Sequence, residues 1–439
     1  MYIQRSFGIT HVVTIILAGM IFFEVYGHHW FLELFFGQKE RNMIDIICGV
    51  LLFCISVMYS VLLIKNNKKV KVWDDSTKRL FIPLLLYFGF GLFAVVLHEQ
   101  GFDAVKRHFI YLFAPLIIFL SIFAIYRSNK SITIALHILF FLGAVFSIYS
   151  IFLHTLSDED IRVMHGLSQF SEREYLMRFT IPGLGPNVLP SMSVPIILTG
   201  FYLIRNISGK SKYLYMGLTL LVFYNIVITA SIGALVSLIA GMIYLVFKVR
   251  TKFNKRIFLI GLCFILVIYI GGDTLFLRMD ATNALLQKAL AEGVTDDLGK
   301  SAARTVALID SFTTYIIPNP ILGSGFSYFV ASQDEELGGL GEHNFYVRLL
   351  AQGGLVIFIP FIFILAFLYF NSSKILDRDM FADLSSKDIG ILLNAGLIAY
   401  IVDLNFPPGF FYYYWIWFGF VAAWTRNSEV EYRAQSKLL

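Results

Sequence analysis

Uninterrupted apolar runs of bilayer length constrain this chain more than any other feature. Residues 43–64, 80–97, 109–126 and 132–153 stay apolar without two-residue or 3.6-residue alternation, as does 358–370 with the turns before it. A bilayer core needs about 20 mostly apolar residues in a helix. Backbone polar groups inside lipid must pair internally, and without strand-like alternation only helices satisfy them here. Only 15% of the 439 residues are charged, against about 25% in a soluble domain. The expected fold class is therefore all-α, a polytopic membrane protein. Cys48, Cys54 and Cys263 fall inside apolar runs and read as small hydrophobes, not as a disulfide or metal framework. The first run, 9–26, has Arg5 before it and no small-residue cleavage site after it. It reads as a retained helix.

Twelve spans can be drawn: 9–26, 43–64, 80–97, 109–126, 132–153, 187–204, 213–229, 231–247, 257–272, 343–370, 388–404 and 411–425. Alternate connections then divide the cations unevenly. One set takes 23 of the 35 Lys and Arg, the other takes 11, and Arg348 lies inside a span. Cytoplasmic connections accumulate Lys and Arg. Both termini are therefore expected in the cytoplasm, with loops 154–186 and 273–342 outside. The vulnerable point is Thr229–Ser231, where two spans meet with almost no loop. A single long helix there would invert everything downstream, and would put the five-cation connection 248–256 outside.

The outer loop 273–342 is too long for a connector. Residues 283–290 and 302–315 carry apolar residues at helical spacing, and Pro318 and Pro320 end the second segment. The loop is therefore expected to contain short helices. Its acidic, glycine-rich end, 334–342, reads as mobile.

Each polar candidate has a bland reading beside a chemical one. Arg304 is a solvated helix face or a cation for an anionic ligand, since guanidinium grips phosphate with two parallel hydrogen bonds. His343 is a helix-end histidine or a base near neutral pH. Asn344 suits a helix cap. Arg348, five residues into its span, either snorkels or faces a polar cavity, and an intramembrane cation is a functional hypothesis by default. Asp403 with Asn405 shares that ambiguity, and Glu24 and His137 are weaker. Gly323 and Gly325 form a plain turn or bring N–H groups to a phosphate. No P-loop, zinc-protease, Cys-x-x-Cys or Ser/His/Asp motif occurs.

The order of these pieces is more specific than any one of them. Arg304, then Pro320-Ile-Leu-Gly323-Ser-Gly325, then His343-Asn344 with Gly353-Gly354 ten residues later, resembles the O-antigen ligase/polymerase superfamily. Arg178 followed by Gly185-Pro-Asn187, and Thr229-Ala-Ser231-Ile-Gly233, look like further family landmarks. One landmark departs: Ile232 stands where the family often has arginine. The resemblance implies glycosyl transfer at the outer face of the bacterial inner (cytoplasmic) membrane, from a glycan on undecaprenyl pyrophosphate to an acceptor hydroxyl. His343 and Arg304 would be catalytic. Arg178, Arg348, Asn344, Gly323 and Gly325 would bind pyrophosphate or glycan. No metal or other cofactor would be needed. A chain-length regulator and a flippase of the same pathway are the implied partners, and nucleic acid is not. Polymerase is the first expectation, and ligation of finished glycan to lipid A core is the alternative. A secondary transporter is the rival class. Many transporters consist of two symmetric six-helix halves, whereas this chain has no internal repeat and its longest loop is off-centre.

Overall fold

The structure is a computed structural model. It describes residues 11–14, 16–17, 54, 75–97, 114–155, 188–229, 231–249, 308, 311–325, 344–377, 384–406 and 412–435. These are helical apart from short turns, with no strand among the described residues. The protein is an all-helical membrane protein. Expected spans 9–26 and 43–64 are described only in fragments, and 257–272 lies outside the described residues, so the count of twelve rests on the sequence. The chain forms two compact units: residues 1–44, 128–280 and 379–403, and residues 45–127, 281–378 and 404–439.

In unit 2, α1 is Asp75–Leu97, α2 is Ala114–Ile125, and a π-helical turn covers Ser311–Ile316. In unit 1, α3 is Asn129–Thr155, α4 is Val188–Asn206, α5 is Ser211–Ile228 and α6 is Ile232–Val249. Unit 2 continues with α7, Phe345–Leu376, which is interrupted at Gly354. Then come α8, Leu384–Asp403, in unit 1, and α9, Tyr412–Gln435, in unit 2.

Cross-helix pairs fix the directions in unit 1. Gly143 faces Ile196 and Gly200 faces Phe140, so α4 runs antiparallel to α3. Asn225 Nδ2 donates to Ser147 Oγ at 2.6 Å, and the His137 and Tyr215 rings meet at 6.4 Å, so α5 is parallel to α3. Ser237 Oγ donates to Asp403 at 3.3 Å and Asn394 to Tyr244 at 3.3 Å, which sets α6 antiparallel to α8. The Arg205–Asp388 ion pair, 3.5 Å, sets α8 antiparallel to α4. Thus α5 and α6 point in opposite directions and flank α4. The junction at Thr229–Ser231 is a reversal of the chain, not the middle of one helix. Thr229 Oγ1 donates to Asn225 O at 2.7 Å, and Ser231 O accepts from Leu235 N at 3.1 Å, closing one helix and opening the next. Small residues permit the close approach, as is usual between membrane helices. A Cβ on Gly241 would lie 3.0 Å from Leu198 and 3.1 Å from the Ala395 carbonyl.

In unit 2, α9 is buried all round from Tyr413 to Ser428. It runs parallel to α2, with Phe119 against Trp415 and Tyr126 against Phe420. The ring pairs Tyr87–Phe361 and Tyr87–Trp415 place α1 against α7 and α9. The buried Arg426 donates to the carbonyls of Phe123 and Tyr126, the latter at 2.8 Å, and its guanidinium lies 4.4 Å from the centre of the Phe123 ring. It thereby satisfies the Phe123 carbonyl in the last turn of α2 and the Tyr126 carbonyl just beyond it, groups that a helix end leaves without intrahelical donors.

Each unit taken alone sorts its cations. In unit 1 every described Lys and Arg (Lys130, Arg205, Lys210, Lys212, Lys248, Lys387) lies where α3, α5 and α8 begin and α4 and α6 end. In unit 2, Lys78, Arg79, Arg127, Lys374, Arg426 and Arg433 share one end, and Arg348 alone lies toward the other. By length and composition, three described helices can cross a membrane: Asn129–Phe152, Ser211–Ile228 and the apolar run that includes α7.

Candidate active site

The site is built on the interruption of α7. Sixteen residues of continuous helix would separate Phe345 from Phe361 by about 24 Å. Their ring centres instead lie 5.4 Å apart, and Tyr346 reaches Phe358 and Phe361 at 6.4 and 6.3 Å. The chain therefore folds back at Gly354, whose φ of 60° and ψ of −164° only glycine adopts readily. Residues 345–353 form a half-helix against 355–376, which alone spans about 33 Å and can cross a bilayer. The expected single span 343–370 is thus corrected. The half-helix begins nearer the cationic end and rises to the break, so Arg348 lies nearer the break than Asn344 does.

Breaking a helix strands carbonyls before the break and N–H groups after it. The Pro-x-x-Gly-x-Gly turn supplies the missing partners. Ser324 N donates to Ala351 O at 2.7 Å and Gly325 N to Gln352 O at 2.9 Å. In return Leu355 N donates to Pro320 O at 2.9 Å and Val356 N to Ile321 O at 3.2 Å. A Cβ on Gly323 would lie 2.6 Å from Gln352 C and Gly353 N, and one on Gly354 would collide with Ile321 O. Buried backbone groups left unpaired cost about 1–3 kcal/mol each, so turn and break stabilise one another. Two stretches thirty residues apart are a single structural unit.

This accounting decides the reading of Gly323 and Gly325. Gly323 N donates to Asn319 O at 2.9 Å, and the next two N–H groups are those just described. All three N–H groups that a phosphate would need already have protein partners. The glycines make the plain turn.

The half-helix starts at Asn344, whose extended backbone and side-chain oxygen, accepting from Val347 N at 3.1 Å, cap it. Asn344 Nδ2 also donates to Asn405 Oδ1 at 3.4 Å, and Phe345 N to Leu404 O at 2.9 Å, tying the start of the half-helix to the turn after α8. One face, Val347 and Ala351, packs on Ile316 of the π-helical turn, with Leu308, Tyr315 and Leu350 around it. Another carries Asn344, Arg348 and Gln352 at four-residue spacing, which aligns them along the half-helix. Arg348 and Gln352 are each only 6% exposed. A snorkelling arginine keeps its head in water; this one does not.

The structure thus brings together Asn344, Arg348, Gly323 and Gly325 from the expected set. His343, which immediately precedes the cap, Arg304 and Arg178 lie outside the described residues, as does Glu24. Asp403 is fully buried in unit 1, held by Ser237. The His137 ring nitrogen contacts Thr133 O at 2.8 Å within its own helix. Gln352 was not singled out from the sequence. Its signal was present, as a carboxamide one turn after an intramembrane arginine.

A helical membrane protein in which a glycine-proline turn locks a buried, polar-striped half-helix is the class defined here. Residues 217–362 match the family model described as O-antigen ligase. The match supports the O-antigen ligase/polymerase superfamily for this chain. It runs from within α5 through the chain reversal, the turn and the half-helix to the first turns of helix 355–376. A comparison with curated proteins gives no match.

Proposed function

We propose that this protein is a polysaccharide polymerase, of the O-antigen or capsule kind, working at the outer face of the cytoplasmic membrane. The observation that carries this reading is the buried Arg348 on a half-helix opened by His343-Asn344, inside the stretch matched to the O-antigen ligase family. The donor is a glycan on undecaprenyl pyrophosphate. An acceptor sugar hydroxyl attacks the anomeric carbon, the bond to the phosphate oxygen breaks, and undecaprenyl pyrophosphate leaves. His343 takes the hydroxyl proton. Arg304, with Arg178, holds the pyrophosphate and offsets the charge that develops on it as the bond breaks. Arg348 keeps a fixed positive charge beside the acceptor or pyrophosphate, at low dielectric where it acts strongly. Asn344 holds the start of the half-helix, and thereby His343, in place. With Ile232 where the family often has arginine, these cations carry the charge instead.

The same chemistry with lipid A core as acceptor would make the protein a ligase. Gel analysis of lipopolysaccharide from a deletion strain separates the two. A polymerase mutant retains core with one repeat unit, whereas a ligase mutant shows bare core. Substrate uptake into proteoliposomes, with unchanged glycan in cells, would support a transporter instead.

A further inference from the structure

The turn that locks the half-helix has a second surface, which none of the chemistry above uses. Between residues 311 and 325 there is no charged side chain. Ile317 is 67% and Ile321 61% exposed, with Phe312 and Leu322 at 40% each. Such a cluster on a loop in water would be an unusual apolar patch. Its neighbour explains it. The carbonyls of Pro320 and Ile321 are bonded to the first N–H groups of helix 355–376. That helix exposes Leu355, Ile359 and Phe363, the outward stripe of a segment long enough to cross a bilayer. The apolar surface is therefore continuous from the membrane-facing helix onto the turn.

We propose that residues 312–322 lie at the headgroup boundary of the outer leaflet, with Phe312, Ile317, Ile321 and Leu322 reaching lipid acyl chains and the exposed Thr313, Thr314 and Asn319 meeting the headgroups. By sequence they belong to the outer loop 273–342. Irregular backbone does not face lipid within the hydrocarbon core, so the turn sits at the edge of that core, and part of its backbone is already paired. Pro318 and Pro320 have no N–H to satisfy. Ile317 N donates to Phe312 O at 2.8 Å, and the carbonyls of Asn319, Pro320 and Ile321 all accept backbone bonds. The lipid contact holds the turn at a fixed depth, and the turn holds the half-helix. This inference concerns the lipid surface alone and does not depend on the transfer reaction.

The wild-type protein, reconstituted in phosphatidylethanolamine/phosphatidylglycerol vesicles that include a phospholipid with an acyl-chain diazirine, provides the test. After illumination and proteolysis, lipid adducts are expected on the peptide containing 312–322 as well as on 355–363. Adducts on 355–363 alone overturn the proposal. A second measurement uses a nitroxide at Ile321→Cys, in a chain whose native cysteines are replaced. Its accessibility should shift toward oxygen over a water-soluble nickel complex, as at Phe363→Cys and opposite to Lys210→Cys. A label resembling the Lys210→Cys reference means that the turn is in water. One shielded from both reagents means that another part of the chain covers it. Either result overturns the proposal.

Discussion

Arg348 is a charged residue among apolar neighbours, Val347, Leu349 and Ala351, that are as buried as it is. A guanidinium within a span is costly to keep and is a functional hypothesis by default. If it serves the anionic donor, Arg348→Ala should lower transfer about 100-fold, the usual scale for losing one charge-stabilising donor. The protein should remain in the membrane, and Arg348→Lys should recover part of the rate. Chain-length profiles on gels, beside an immunoblot of membranes, would check this. His343→Ala and Arg304→Ala are each expected to abolish polymer at normal protein levels, and wild-type chain lengths in both would sink the mechanism. Arg426 is the contrasting case. It is equally buried, and its guanidinium donates to the Phe123 and Tyr126 carbonyls, a structural task. Arg426→Ala should destabilise unit 2 by about 2 kcal/mol, since the Phe123 carbonyl loses its arginine donor and the Tyr126 carbonyl keeps only Asn427 Nδ2. A lower melting temperature in detergent, with activity per folded molecule retained, is the expected outcome. Sequence alone flagged Arg348 because it interrupts an apolar run. Arg426 sat at the end of one and looked like an ordinary flanking cation.

Helix α7 shows what an element loses when it is read as a pattern. Its apolar run predicts one span, and the run is real. Gly353-Gly354 inside it, and Gly323-Ser-Gly325 thirty residues earlier, were legible as family landmarks. That they are two halves of one device was not, because the hydrogen bonds joining them are long-range in sequence and leave no periodicity. Glycine at 354 is demanded by its backbone and by the Ile321 carbonyl. Gly354→Ala should therefore cost about 3 kcal/mol, as a strained backbone plus a steric collision. Gly323→Ala should act the same way through the Gln352–Gly353 backbone. Both should lose transfer along with heat stability, and activity assays beside thermal melts in detergent would report it. A wild-type melt for Gly354→Ala would contradict the observed turn. The reversal at Thr229–Ser231 is the opposite experience. The cation count demanded it, and α5 and α6 do run in opposite directions.

At the scale of the molecule, apolar runs gave the fold class and cation counting gave an alternation that the helix directions within each unit reproduce. For each unit taken alone, the positive-inside rule predicts that the cationic end faces the cytoplasm. Alkaline phosphatase inserted between residues 273 and 342 should be active in cells, and the same enzyme inserted at 207–210 should be silent. The reverse pattern would invert the topology. The candidate site was less legible, since each motif is short and the alignment of Asn344, Arg348 and Gln352 follows only from the half-helix. Transfer from a polyprenyl pyrophosphate is the central claim. Its most direct test incubates the purified protein in proteoliposomes with a repeat unit on undecaprenyl pyrophosphate. Wild-type protein should produce a ladder of longer glycans and release undecaprenyl pyrophosphate in step, while Arg348→Ala should produce almost none. No ladder and no released lipid from folded wild-type protein, or an undiminished ladder from Arg348→Ala, would contradict the account.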